Sequence, residues 1–411
     1  MVDIAIMGHG VVGSGVAEVI LNNNSVISAR VKNDVNIKYI LDLRDFPGLS
    51  YSDKFTKDFN VILNDPDVRV VAEVMGGVNP ACEFTKSCLL AGKSVVTSNK
   101  ELVAQKGAEL LKIAEENNVN YLFEASVGGG IPVLRPIAQC LGANQISEVQ
   151  GILNGTTNFI MTKMVKEGVS FPDALAEAQR LGYAEKDPTA DIEGHDACRK
   201  ICILAALSFG KHVYPDSVHT EGITKITSAD TAYADFADCV IKLIGRAKLN
   251  EDGKCVATVY PAFVSKSNQL ANVNDVFNAI TVKGDAVGDV MFYGRGAGKL
   301  PTASAVVADI MDCVKHLNAR KYLCWDDADA SYIADYEQDT LRMYVRLTAN
   351  NRAELKAQAE KIFGEIKILG RNGEAENELA FITPFATEKE LKNMLTKLDD
   401  CTIINTVRLL D

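Results

Sequence analysis

No uninterrupted apolar run in the 411 residues approaches the roughly 18 that a bilayer-spanning helix needs, which excludes such a span. Positive charge is in deficit: 43 Lys plus Arg stand against 54 Asp plus Glu, a net charge of −11. Nucleic acids and anionic membranes both select a positive field, so neither is an expected partner. The opening Met1–Gly8 lacks the basic start and small-residue cleavage site of a signal peptide, and it reads as a first strand. There are ten cysteines but no C-x-x-C pair, and the five histidines form no cluster with them. A disulfide framework and a zinc site are therefore not expected, and reduced, buried cysteines of a cytoplasmic protein are. What is present is a globular composition, 47% hydrophobic and 24% charged, on a chain long enough for two or three domains.

The first 130 residues alternate strands and helices. Val2 to Met7 is apolar and runs into Gly8-His9-Gly10-Val11-Val12-Gly13; a helical pattern follows to Leu21, then a strand from Val35 to Leu43. Further strands are predicted at Val68–Met75, Ser94–Thr97 and Asn120–Glu124, with helices at Ala81–Ala91 and Leu102–Glu116 between them. This order predicts a parallel, doubly wound, Rossmann-type sheet. After Gly128-Gly129-Gly130 helices (Ile131–Leu141, Thr156–Lys166, Pro172–Arg180, Asp196–Phe209) mix with strands (Ile146–Leu153, Lys254–Phe263, Ala279–Val282). We read 131–294 as an α/β substrate and dimerisation domain. The helix Thr302–Leu317 returns residues 295–318 to the first domain. From 319 to 411 a third unit shows a βαββαβ order.

Gly8-x-Gly10-x-x-Gly13 follows a strand and opens a helix, the context in which this spacing binds a dinucleotide. Gly8 permits the sharp turn, Gly10 the close approach of backbone to a pyrophosphate, and Gly13 tight helix–strand packing. Asp42, near the end of the second strand, suits the ribose hydroxyls of NAD; Arg44, two residues on, suits the 2′-phosphate of NADP. Either can equally be a solvated loop charge, and the choice of dinucleotide stays open.

A second cluster runs from Gly182 to Lys200. Asp196 and Lys200 are four apart on a helix that becomes strongly apolar from Ile201, so the lysine sits where a buried helix begins, held by a carboxylate. Such an ammonium can deliver a proton. Glu185 and Asp191 are either surface acids or ligands for a substrate ammonium. Asn154-Gly155-Thr156-Thr157-Asn158 offers either a plain helix cap or a site for a carboxylate. Together the two halves would suit a zwitterionic amino acid.

These residues resemble those of the monofunctional homoserine dehydrogenase family over nearly the whole chain. The motifs are the glycine turn, Val95–Lys100, Glu124–Pro132, Gly151–Asn158, Gly182–Lys200 and Gly294–Thr302. The resemblance implies NAD- or NADP-dependent interconversion of L-homoserine and L-aspartate 4-semialdehyde, in threonine, methionine and isoleucine synthesis. It implies Lys200 as proton donor, Lys100 beside nicotinamide and substrate, and Asp196, Glu185 and Asp191 as substrate-orienting acids. Gly155 and Thr156 correspond to substrate contacts. Gly10, Val11, Val12, Thr97, Ser98 and Gly298 correspond to cofactor contacts. Glu124, with the carbonyls of Val127, Gly129 and Ile131, is similar to the family's monovalent-cation site, which takes sodium. The third unit resembles an ACT regulatory domain, through which threonine would inhibit. Its first turn, Thr348-Ala349-Asn350-Asn351-Arg352, departs from the pattern by lacking the usual glycine. Sheet edges in the second and third units suit a homodimer or homotetramer.

Overall fold

The computed structural model describes residues 1–320 and 323–410. Residues 321 and 322, at the start of the expected third unit, and residue 411 at its end lie outside the described residues. The chain divides into two compact units: Met1–Val149 with Cys202–Pro215 and Ile280–Asp329, and Gln150–Ile201 with Asp216–Ala279 and Ala330–Asp411.

In the first unit, β1 (Val2–Met7), α1 (Val11–Asn22), β2 (Val35–Leu41), β3 (Phe55–Thr56), β4 (Val68–Glu73), β5 (Ser94–Thr97), α2 (Lys100–Glu116) and β6 (Tyr121–Leu122) follow in order. The six strands lie β3-β2-β1-β4-β5-β6, all parallel. The order reverses between β1 and β4, so the ends of these strands, Met7 and Glu73, flank the crevice where doubly wound sheets bind ligands. Continuous apolar strands are what a sheet covered on both faces requires. Ile4, Ile6, Val70, Ala72 and Val96 are buried against Val16, Ala17 and Ile20 of α1 and Ala303, Val306 and Ile310 of the returning helix, Lys299–Lys315. That helix starts three residues before the expected Thr302.

Several expected elements run a residue or more past the observed ones, the strand over Val35–Leu43 ending at Leu41 and that over Val68–Met75 at Glu73. The helix expected over Ile131–Leu141 is reduced to two α-helical residues, Leu134 and Arg135, followed by a wider π-type turn, Pro136–Cys140. Glu124 holds the entry to this turn by accepting the amides of Val133, Leu134 and Arg135. Pro136 has no amide to continue the series.

In the second unit we label α3 (Gly155–Glu167), the first turns of α4 (His195–Phe209), α5 (Ser228–Phe236), β7 (Cys239–Leu249), β8 (Cys255–Ser265), β9 (Met343–Ala349), α6 (Arg352–Phe363), β10 (Lys367–Leu369), β11 (Glu378–Ile382), α7 (Glu388–Leu395) and β12 (Cys401–Leu410). The six strands here form one sheet in the order β7-β8-β12-β9-β11-β10. The βαββαβ order from β9 onward is as read from the sequence. Its last strand, β12, pairs in parallel with β8, Ala262 opposite Arg408. One face packs Val345, Leu347, Leu379 and Phe381 on Leu355, Phe363 and Leu391 of α6 and α7. On the other, Tyr344 donates to Asp230 of α5 (2.9 Å), and Tyr233 of α5 donates to Glu378 (2.6 Å).

Strand β7 and helix α5 went unread in the sequence. Lys242 interrupts the apolar run of β7, yet it is buried, donating to Asn158 Oδ1 (3.0 Å) and the Val273 carbonyl, with its pKa pulled down to about 8 by burial. The ten cysteines are unpaired thiols, seven of them buried. Among the described residues no group of three His, Cys, Asp or Glu side chains could hold a metal ion, and no helix is long and apolar enough to cross a membrane.

The tightest constraint in the first unit is at Gly13, where a methyl group would lie 1.9 Å from the Gly8 carbonyl oxygen. Gly13→Ala must therefore move α1 away from the turn. We expect it to lose about 1–3 kcal/mol or more of stability, read by denaturant unfolding, and to bind dinucleotide weakly.

Candidate active site

The nucleotide side lies in the first unit. Helix α1 begins at Val11 after Gly10, which supplies no side chain to cap it, so the first amides are left for a ligand. A methyl on Gly10 would meet nothing within 4 Å: space stands open above the turn. Val11 is exposed there and Val12 half-buried. A cleft of about 620 Å³ adjoins, lined among others by Gly8, Gly10, Asp42, Arg44, Lys57 and Phe84. Asp42 accepts the His9 amide at 2.8 Å, tying the turn to the end of β2. Arg44 grips the same carboxylate through Nε and Nη2, both at 3.0 Å, and holds its pKa well below the usual carboxylate range. The two residues left open by the sequence thus form one ion pair at the cleft.

At the end of β5, Thr97 is buried and donates to Glu73 Oε2 (2.7 Å), whose other oxygen accepts the Met75 amide (2.8 Å). Burial raises the Glu73 pKa. The Thr97 hydroxyl also accepts the Asn99 amide, and Asn99 caps α2 by accepting from Leu102 (3.1 Å). Lys100 is the first residue of α2, half-buried, with Ser98 two residues before it. Gly298 directly precedes the returning helix and, like Gly10 before α1, supplies no capping side chain.

Residues 124–129 form a buried loop, reversed by left-handed Gly128 and Gly129. The Glu124 carboxylate is engaged by the three amides already described. Asp309 accepts the Glu124 amide (2.8 Å) and pairs with Arg135; burial, then the charge of Glu124, pushes the Asp309 pKa up to about 7. Among the described residues no backbone amide reaches the carbonyls of Val127, Gly129 and Ile131. Buried carbonyl oxygens need partners, and a hard cation is one that oxygen donors suit.

The residues expected to meet substrate lie in the second unit. Lys200 and Asp196 are both buried, and Lys200 Nζ donates to Asp196 Oδ2 at 2.7 Å and to the Leu153 carbonyl at 2.7 Å. Asn154 Nδ2 donates to that same Asp196 oxygen (2.8 Å) and to Asp191 Oδ1 (2.7 Å). Its own oxygen accepts the Thr157 amide at 2.8 Å, capping α3. The cap reading of Asn154 holds, and the residue also joins both acids. Burial raises the Asp191 pKa, the charge of Asp196 adds to it, and the bonds from Asn154 and Thr156 oppose it. Gly155 must be glycine, since a methyl there would sit 2.8 Å from the Val276 carbonyl. Thr156 donates to the Tyr183 carbonyl (2.8 Å), drawing the acidic turn onto α3. Glu185 stands exposed outside this bonded cluster.

Asn154 as the hub and Glu73 as the support of Thr97 escaped the sequence reading. The first had a local signal, a cap residue before a helix; the second had none, because its partner lies 24 positions away.

Family comparison agrees with this geometry. The model described as the NAD-binding domain of homoserine dehydrogenase matches residues 8–124, and the homoserine dehydrogenase model matches residues 132–311. The homoserine dehydrogenase of Neisseria gonorrhoeae is 38% identical, with 97% of this chain and 96% of that protein aligned. That of Bacillus subtilis is 36% identical over 98% of this chain and 96% of its own. Among solved structures, a homoserine dehydrogenase from Thiobacillus denitrificans superposes with a TM-score of 0.89 at 34% identity, covering 100% of this chain and 98% of that one. A hyperthermophilic archaeal homoserine dehydrogenase mutant in complex with NADPH gives a TM-score of 0.64 at 29% identity, over 76% of this chain and 97% of that one. The chain belongs to the homoserine dehydrogenase family.

Proposed function

We propose that this homoserine dehydrogenase interconverts L-homoserine and L-aspartate 4-semialdehyde with Lys200 as the proton donor and acceptor. The observation that carries the assignment is the buried Lys200–Asp196 pair, shared with Asn154 and Asp191. When bound, a reduced nicotinamide dinucleotide supplies the hydride that the aldehyde carbon accepts. The carbonyl electron pair then collects on oxygen, and Lys200 Nζ gives that oxygen a proton, leaving a neutral amine. Asp196 fixes the lysine rotamer and keeps the ammonium paired in a place where an isolated charge would be costly. Lys100 is assigned the supply of further positive potential to the reaction, as the family resemblance implies. Asp191 and Glu185 take the substrate ammonium. Gly155 and Thr156, at the start of α3, take its carboxylate. In the oxidative direction, neutral Lys200 receives the hydroxyl proton.

For the dinucleotide, Gly8, Gly10, Val11, Val12 and Gly13 form the pyrophosphate turn, with Thr97, Ser98 and Gly298 as further contacts. We infer that Asp42 takes the ribose hydroxyls of NAD, while Arg44, released from it, takes the 2′-phosphate of NADP. A monovalent cation such as sodium would be held by oxygens of Glu124, Val127, Gly129 and Ile131; the carbonyls without amide partners support this, and the cation would neutralise and stiffen the buried loop. Residues 319–411 form an ACT-like module in this reading. In its first turn the Asn351 side chain caps α6 at Glu354 (3.2 Å), where the usual glycine would open a space for an effector. The cap and the pairing of β12 with β8 favour a stabilising role over threonine binding. We take the protein to be a cytoplasmic homodimer or homotetramer.

Initial-rate kinetics with homoserine test the reaction. Lys200→Ala is expected to lower kcat by about 10²–10⁴-fold with dinucleotide affinity within twofold of wild type; near-normal turnover would refute the role. Arg44→Ser should raise KM for NADP by about tenfold and leave that for NAD nearly unchanged, because it removes the charge-assisted contact to phosphate while the His9 amide still holds Asp42. Replacing sodium with choline at constant ionic strength should lower kcat/KM for homoserine, and added sodium should restore it.

A further inference from the structure

The acidic turn of the second unit is anchored from outside the site. Ile223 donates its amide to the Ile192 carbonyl at 2.8 Å. Gly222 packs so closely that a methyl there would lie 2.6 Å from the Glu193 Cα, and one on Gly194 would lie 3.0 Å from Thr220 Cγ2. The segment 219–223 is therefore a rail against which the turn containing Asp191 rests, directly before Asp196. The rail is itself fixed at two points. The Glu221 amide donates to the Val259 carbonyl of β8 (2.8 Å). The Glu221 carboxylate receives Arg408 Nη2 at 2.8 Å and His219 Nε2 at 2.6 Å.

Arg408 comes from β12, in the C-terminal βαββαβ segment, and only 5% of its surface is exposed. Its guanidinium spans two carboxylates. Nε and Nη2 meet Glu388, the first residue of α7, at 2.7 and 2.6 Å, and Nη2 also meets Glu221. The rings of Tyr260 and Tyr336 lie 4.8 and 6.0 Å from the guanidinium carbon. His219, stacked on Tyr336 at 3.9 Å, completes the enclosure. A planar fork that serves two acids at once and lies near aromatic rings is a job lysine's point charge does less well.

We propose that Arg408 is a positioning residue for the reaction: through Glu221 it holds the 219–223 rail, and through the rail it sets the turn that carries Asp191 into Asp196 and Lys200. The C-terminal segment thereby supplies part of the substrate site's support. This inference rests on the assignment of that turn to substrate binding.

The test compares purified full-length wild type with Arg408→Met, Arg408→Lys and Glu221→Gln, below the unfolding transition of each. Two readouts are taken: amide hydrogen exchange of peptides covering 187–196, and steady-state constants with homoserine and dinucleotide. Arg408→Met should speed exchange in that turn while leaving β1 and α1 unchanged. It should also raise KM for homoserine about tenfold, with dinucleotide KM within twofold. Arg408→Lys should recover part of both, and Glu221→Gln should show the same pattern more weakly. Unchanged exchange at 187–196, or faster exchange with homoserine KM within twofold, overturns the proposal. If Arg408→Met does not fold, Glu221→Gln decides on the same criteria. Exchange needs no substrate, so wild type inactive toward homoserine would refute the reaction assignment separately.

Discussion

One carboxylate oxygen organises the chemistry of the second unit. Asp196 Oδ2 receives both the Lys200 ammonium and the Asn154 amide, in a place with little access to water. A buried ion pair contributes little net stability, because desolvation offsets most of the attraction; its effect is to fix geometry. Here it fixes a lysine rotamer against a main-chain carbonyl. The same amide group that completes the pair also bonds Asp191, and its oxygen caps α3. The helix start, the acidic turn and the Lys200–Asp196 pair therefore share one side chain. None can shift without disturbing the others, so the cluster is held in one geometry before any ligand arrives.

One large sheet runs through the second unit and takes in the strands of its C-terminal segment, so that segment is not a detached module. β12 pairs with β8 on one side and with β9 on the other, so main-chain hydrogen bonds run unbroken from the βαββαβ segment into the strands near the site. The polar face of that segment is filled by α5. Asp230 there accepts Tyr344 and pairs with Arg346 at 3.4 Å, both groups being buried. A face committed in this way to a neighbouring helix is a packed interior.

Much of the site was legible because its decisive spacings are local. Asp196 and Lys200 are one helical turn apart, and the glycine turn is six residues long; helix periodicity and steric limits act at that range. What escaped depends on partners far along the chain. Asn154 reaches acids 37 and 42 residues downstream, and Glu73 bonds a threonine on the adjacent strand. Strand β7 hid behind Lys242, a charge whose burial only tertiary packing can make tolerable. Helix α5 was overlooked although Thr227 and Asp230 form a reciprocal capping box, a signal readable from sequence. Glu185 belongs to the same motif, and its side chain stands exposed outside the bonded cluster.

The returning helix has a further meaning for how this chain can be divided. Gly15 of α1 lies so close to it that a methyl would come within 3.0 Å of the Ala303 side chain, and it covers the face formed by Val16, Ala17 and Ile20. A fragment cut at residue 150 would keep every strand of the parallel sheet and still leave that oily flank bare. The nucleotide half is contiguous in space and discontinuous along the gene, so it cannot be borrowed as a cassette by cutting once.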